Sequence, residues 1–166
     1  MKIKIFLASS IVEFKEVRNE IGALVRRVQD ILINDDIRVN LFICEYYDSS
    51  LSVRGRKQDD YMDELVKSDI FLMLVGKKLG DYTKEEFNKA NECKNIQKEI
   101  IFIKNDAVDD SVISFKSEVH NNKNTKVYLD KSIEEVKQII LNSISLKLGN
   151  VNLVYENGIV KNKDSK

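Results

Sequence analysis

Two features of the chain predict an α/β fold built on a parallel sheet covered on both faces. Five short apolar, β-branched runs recur along it, and the segments between them have helical spacing. The runs are KIKIFL (2–7), RVNLFIC (38–44), DIFLMLV (69–75), EIIFI (99–103) and KVYL (126–129). They are nearly continuous in apolar character rather than alternating, as expected of strands buried on both faces. Parallel neighbours need crossover helices, which the intervening segments supply.

Taken in order, the first run sits in MKIKIFLASSIVEF, which imitates a signal peptide but leads into Glu13, Lys15 and Glu16 without a cleavage motif. Helix 1 follows, with Ile11, Phe14, Ile21, Leu24, Val25, Val28 and Leu32 on one face; Ser10 with Glu13 fits a capping box at its start. The second run opens into a long polar loop, EYYDSSLSVRGRKQDD (45–60). The third runs into VGKKLGDYTKEEFNKA (75–90), which passes two glycines and opens a helix, with Thr83 and Glu86 spaced as a second capping box. The fourth and fifth runs are followed by a last helix carrying Ile133, Val136, Ile140 and Ile144, headed by Ser132 with Glu135. Five strands so connected suit a flavodoxin-like doubly wound sheet of order 2-1-3-4-5, occupying residues 1–149. The tail, 150–166, has an Asn-Gly turn signal between short apolar pieces, so it reads either as a small terminal hairpin or as the start of a linker to a further domain.

Composition narrows the function classes. A chain of 166 residues suits one domain with a real core. Lys and Arg number 27, as do Asp and Glu, so no bulk charge draws the protein to nucleic acid or to anionic membrane. No apolar stretch approaches the roughly 20 residues that span a bilayer. Cys44 and Cys93 lie in apolar-rich segments without metal or redox spacing, which predicts reduced, buried thiols and a cytoplasmic location.

In a doubly wound sheet of this order, ligands bind outside the carboxyl ends of strands 1 and 3. The connections to inspect are therefore Ala8-Ser9-Ser10, the 45–60 loop and the stretch from Val75 to Ala90. None carries a phosphate fingerprint, because GKKLG does not complete G-x-x-x-x-G-K-[ST] and G-x-G-x-x-G is absent. His120 is the single histidine, so metal pairs and Ser-His-Asp arrangements are excluded, and its expected place is a helix surface. What remains is a carboxylate with neighbouring hydroxyls, tyrosines and arginines. Such a set suits binding a sugar and stabilising positive charge on it. Glu86 reads from spacing alone either as a helix cap or as that carboxylate. Ser10 reads as the cap of helix 1, leaving Ser9 as the better ligand contact. Arg54 and Arg56 suit a pyrophosphate, and Tyr82 suits a stacking ring.

These residues resemble the bacterial TIR-like (Toll/interleukin-1 receptor-like) domains. The similarity spans roughly residues 2–148 and rests on KIFLASS, the long loop after strand 2, SDIFLMLVGKKLGDYT and the run Glu86-Phe87-Asn88-Lys89-Ala90. Nucleoside 2-deoxyribosyltransferases carry a similar Glu at the same point of a related fold. The resemblance implies cleavage of NAD+ at the nicotinamide-ribose bond, with NAD+ as substrate and no resident cofactor or metal. It places the catalytic carboxylate at Glu86, with Glu85 the runner-up, and surrounds it with Ser9, Ser10, Asp48, Arg54, Gly76 and Tyr82. It further implies a cytoplasmic antiphage effector that is activated by self-association and answers to a sensor domain or partner beyond Lys166. The chain has no tryptophan and lacks the Arg-Asp and Pro-Gly signature of receptor-type TIR loops, which sets receptor-style adaptor signalling apart. The alternatives are a non-catalytic TIR-like assembly module and another N-glycosidic enzyme acting on nucleosides or nucleotides.

Overall fold

A computed structural model describes residues 1–43 and 57–164. Cys44, Asp48, Arg54 and Arg56 lie outside the described residues. Five strands, β1 (Lys2–Ala8), β2 (Arg38–Ile43), β3 (Ile70–Val75), β4 (Gln97–Ile103) and β5 (Thr125–Lys131), alternate with helices α1 (Lys15–Leu32), α2 (Lys57–Val66), α3 (Asp81–Glu92), α4 (Asp110–His120) and α5 (Ile133–Leu148). The strands form one parallel sheet in the order β2-β1-β3-β4-β5. This is the expected flavodoxin-like fold. β4 begins two residues before the apolar run that announced it, because Gln97 and Lys98 continue the ladder opposite Ile70 and Phe71; Lys98 is buried, its ammonium 3.4 Å from the Ile96 carbonyl.

The pleat of β3 shows how the core is divided. All six of its residues are buried. Ile70, Leu72 and Leu74 face one side with Ile3, Ile5 and Leu7, packing under α1 and α5 through Ile21, Val25, Val28, Val136, Ile140 and Ile144. Phe71, Met73 and Val75 face the other with Phe6 and Ala8, packing against Leu65 of α2, Phe87 and Ala90 of α3, and Val112 and Phe115 of α4. The sheet is thus the middle of three layers. A one-residue slip of β3 would exchange its two faces between unlike helices.

Two polar features bind this core. Glu99 of β4 is 1% exposed and accepts from the hydroxyl of Tyr128 at 2.8 Å, from the Gln97 amide at 3.2 Å and from the Ser143 hydroxyl of α5. Burial pushes its carboxyl above the ordinary range, against the pull of those hydrogen bonds. At the sheet edge, the Gln29 side chain accepts from Val39 N–H at 2.7 Å and donates to the Ile37 carbonyl at 2.9 Å. Its amide satisfies the outward backbone groups of β2 as a neighbouring strand would.

The tail carries a hairpin. β6 (Leu153–Glu156) and β7 (Ile159–Asn162) pair antiparallel across Asn157-Gly158, whose φ angles of 52° and 76° are those of a two-residue primed turn. Leu153, Val160 and Val151 are buried in the α1/α5 layer. Gln138 of α5 accepts from Tyr155 N–H at 2.8 Å and donates to the Leu153 carbonyl at 3.4 Å, repeating on β6 what Gln29 does on β2. Lys137 joins the pieces, with Glu20 of α1 and Glu134 each 3.1 Å from its ammonium and the Tyr155 hydroxyl at 3.4 Å. Among the described residues no helix is long and apolar enough to cross a membrane.

Candidate functional site

The carboxyl ends of β1 and β3 lie side by side, with Ala8 in register with Met73. Past Ala8 the chain stays buried for one more residue. Ser9 is 7% exposed, and its hydroxyl has no hydrogen-bond partner among the described residues. A buried hydroxyl is seldom left so, because each unsatisfied polar group costs about 1–3 kcal/mol. Ser10 accepts from Glu13 N–H at 3.3 Å, yet it is not the cap of α1. A turn over residues 11–14 intervenes, the helix starts at Lys15 after Phe14, and the Glu13 carboxylate does not return to Ser10. Instead Glu13 Oε1 crosses to Lys77 N–H at 2.5 Å.

That crossing explains Gly76. A Cβ there would stand 1.9 Å from Glu13 Oε1 and 2.7 Å from the Phe14 ring. The absence of a side chain at 76 therefore lets the β1–α1 connection seat on the β3–α3 connection. The far side of the latter is held by α4, since Asp109 N–H donates to the Lys77 carbonyl at 2.8 Å and Leu79 N–H to the Ser111 hydroxyl at 3.3 Å. Asp109 caps α4 by accepting from Ser111 N–H at 3.0 Å, and that bond holds its carboxyl below the usual range.

α3 corrects a second capping expectation. Its N-cap is Gly80, which is extended and accepts from Lys84 N–H at 3.0 Å, so Thr83 lies inside the first turn and Glu86 in the second. Neither is a cap. Thr83, Glu86, Phe87 and Ala90 form the buried face of the helix, with Glu86 5% exposed, and α3 packs on both β1 and β3. Its attitude is fixed from α4, where Lys84 pairs with Glu118 and sets its ammonium 4.6 Å from the Phe115 ring and 5.3 Å from that of Phe87. The two adjacent carboxylates separate by one helical step of about 100°. Glu85 is half-buried and lines a groove of about 380 Å³ between α2 and α3 with Asp59, Met62, Asp63 and Glu92.

Of the expected contacts, Ser9, Ser10 and Gly76 therefore belong to adjoining connections, and Glu86 to the helix laid over the same two strands. Tyr82 is 63% exposed at the start of α3. Arg18 is a residue the sequence reading passed over: it is 5% exposed, and its guanidinium donates to the Ser9 carbonyl at 3.5 Å. It interrupts the apolar stripe between Phe14 and Ile21, and a charge at that spacing was the available signal. Cys93 is half-buried rather than fully buried, with its thiol 3.5 Å from the Lys89 carbonyl, and His120 is exposed at the end of α4, as expected.

No protein-family model matches the chain, and no curated protein does. Among solved structures, a conserved protein from Enterococcus faecalis V583 is similar at 13% identity over 86% of this chain and 99% of that one, with a TM-score of 0.47. The fold assignment here rests on the strand order and register.

Proposed function

We propose that this chain is a TIR-like effector domain that cleaves NAD+ between nicotinamide and ribose, with Glu86 as its catalytic carboxylate. The observation that carries the reading is the position of Glu86: a buried carboxylate in the second turn of a helix that Gly80 caps and that packs on both β1 and β3. A capping role, the competing explanation from spacing, does not account for it. The orphaned Ser9 hydroxyl at the end of β1 adds a group suited to a ribosyl hydroxyl.

The chemistry asks for one well-placed negative charge. As the C1′–N bond breaks, its electron pair goes to the pyridinium nitrogen and nicotinamide leaves neutral, so no general acid is required. Positive charge grows on the ribosyl ring, and a carboxylate hydrogen-bonded to the ribose hydroxyls strengthens its hold as that charge develops. Water adding to C1′ gives ADP-ribose and a proton; capture by the adenine of the same molecule gives a cyclic product. Arg18, bonded to the Ser9 carbonyl, serves as a positioning residue for the β1 end.

Regulation by self-association and by a sensor belongs to the same reading, since an effector that consumed NAD+ constantly would harm its cell. Concentrated protein incubated with NAD+ is expected to release nicotinamide, with activity per protomer rising with protein concentration. Release of a free base from nucleosides instead would support the N-glycosidic alternative. Neither product at any concentration would leave an assembly module and overturn the proposal.

A further inference from the structure

We infer that a cavity at the carboxyl ends of β4 and β5, lined by Lys77, Lys104 and Lys131, binds the diphosphate group of a nucleotide. Its volume is about 590 Å³, within the range of small-ligand pockets. Three neighbouring strands each deliver a lysine to it. Lys77 stands two residues past β3, Lys104 directly follows β4, and Lys131 ends β5 in register with Ile103. Lys104 N–H donates to the Lys131 carbonyl at 3.0 Å, which locks two of the three backbones together at the rim.

The cavity lining itself carries three lysines and one carboxylate, Asp106. From outside that lining, Glu135 lies 3.4 Å from the Lys131 ammonium and the Glu13 carboxylate accepts from Lys77 N–H at 2.5 Å. Among the described residues no carboxylate is within ion-pair distance of Lys77 or Lys104. A concave site with excess positive charge favours an anion. The 16-residue helix α5 opens onto the same space through Ser132 and Ile133, and because the Ser132 hydroxyl takes Glu135 N–H, the amides of Ile133 and Glu134 have no partner inside the helix. Asn105 adds a neutral side-chain amide. Several ammonium groups with backbone donors suit a phosphate-bearing group better than a single carboxylate, and the chain's zero net charge does not favour a polyanion.

The cavity begins at Lys77, one residue past Gly76, so it adjoins the candidate crevice. It offers the diphosphate of the proposed substrate a cradle. The identity of the nucleotide rests on the function proposed above; the existence of the anion site does not.

Inorganic pyrophosphate titrated into the isotope-labelled chain tests this by amide chemical shifts. The expected result is saturable movement at Lys77, Lys104, Asn105, Lys131 and Ile133. The double variant Lys77→Gln/Lys104→Gln should bind about tenfold or more weakly at unchanged melting temperature, while Lys147→Gln, outside the cavity, binds like the native chain. Displacement of pyrophosphate by ADP-ribose, the product that keeps the diphosphate of NAD+, identifies the proposed substrate as the source of the diphosphate; simultaneous binding of both identifies a separate nucleotide. Absence of saturable shifts, or equal binding by the double variant, overturns the inference. Pyrophosphate binding without any nicotinamide release would refute the proposed activity alone, and nicotinamide release without pyrophosphate binding would refute this site alone.

Discussion

Glu86 and Gly76 are the two positions where a single side chain decides most. Taking a carboxylate out of water costs several kcal/mol before its partners offset it, so Glu86 at 5% exposure is an expensive way to fill a helix face. Gly76 is constrained from the opposite direction, by space. Gly76→Ala is expected to destabilise the protein by about 1–3 kcal/mol, because the flexible Glu13 can yield but the buried Phe14 ring cannot. Equilibrium denaturation measures it; a cost below a few tenths would mean the two connections do not meet there. Glu99 supplies a pH dependence of known sign. Its folded-state pKa lies above the unfolded value of about 4.3, so the native state holds the proton more tightly and stability falls as pH rises from there through the folded value. Glu99→Gln keeps the shape and removes the charge. The variant should gain on the native protein as pH rises above about 4, in melting temperatures compared across pH. An advantage constant with pH would exclude Glu99 as the titrating group.

Strands were read from sequence more faithfully than helix starts, and the reason is physical. A strand buried on both faces has nowhere to hide a polar residue, so IFLMLV declares itself. A capping box is only a spacing of two side chains, and three such spacings occur here. Ser132 and Glu135 make both reciprocal bonds. Ser10 and Glu13 do not, because the Glu13 carboxylate is taken by Lys77 N–H, a partner 64 residues away that local pattern cannot anticipate. Thr83 and Glu86 do not, because Gly80 starts the helix one turn earlier. Edge protection by Gln29 was equally hidden, since a glutamine on a helix gives no sign of facing a strand. Gln29→Ala should cost about 1–3 kcal/mol by stranding Val39 N–H and the Ile37 carbonyl, with amide exchange at Val39 accelerated first. Unchanged exchange at Val39 would mean that another group satisfies that amide.

Across the whole molecule, alternation and length were enough to give the sheet order, since few topologies place five parallel strands with covering helices. The candidate site was legible only in part. The crevice followed from topology and Glu86 from a motif, whereas the burial of Arg18 and the orphaned Ser9 hydroxyl depend on how α1 meets β1. The hairpin was one of two readings of the tail, and what holds it in place is non-local: Leu153 and Val160 fill the layer beneath α1 and α5. Leu153→Ala is therefore expected to cost about 2–5 kcal/mol and to leave a single cooperative transition. A loss under about 0.5 kcal/mol would show the hairpin to be an appendage.

The most direct test compares nicotinamide release from NAD+ by Glu86→Gln and Glu85→Gln, with circular dichroism and thermal melting run on both and Glu86→Ala as a second variant at the same position. Glu86→Gln should retain the fold and lose about a hundredfold or more in turnover, the order expected when one preorganised charge is removed from a developing cation. Glu85→Gln, whose side chain lines the groove between α2 and α3, should stay near native activity. If folded Glu86 variants turn over NAD+ at the native rate while Glu85→Gln does not, the catalytic carboxylate is Glu85; if all three turn it over alike, this helix does not carry the chemistry.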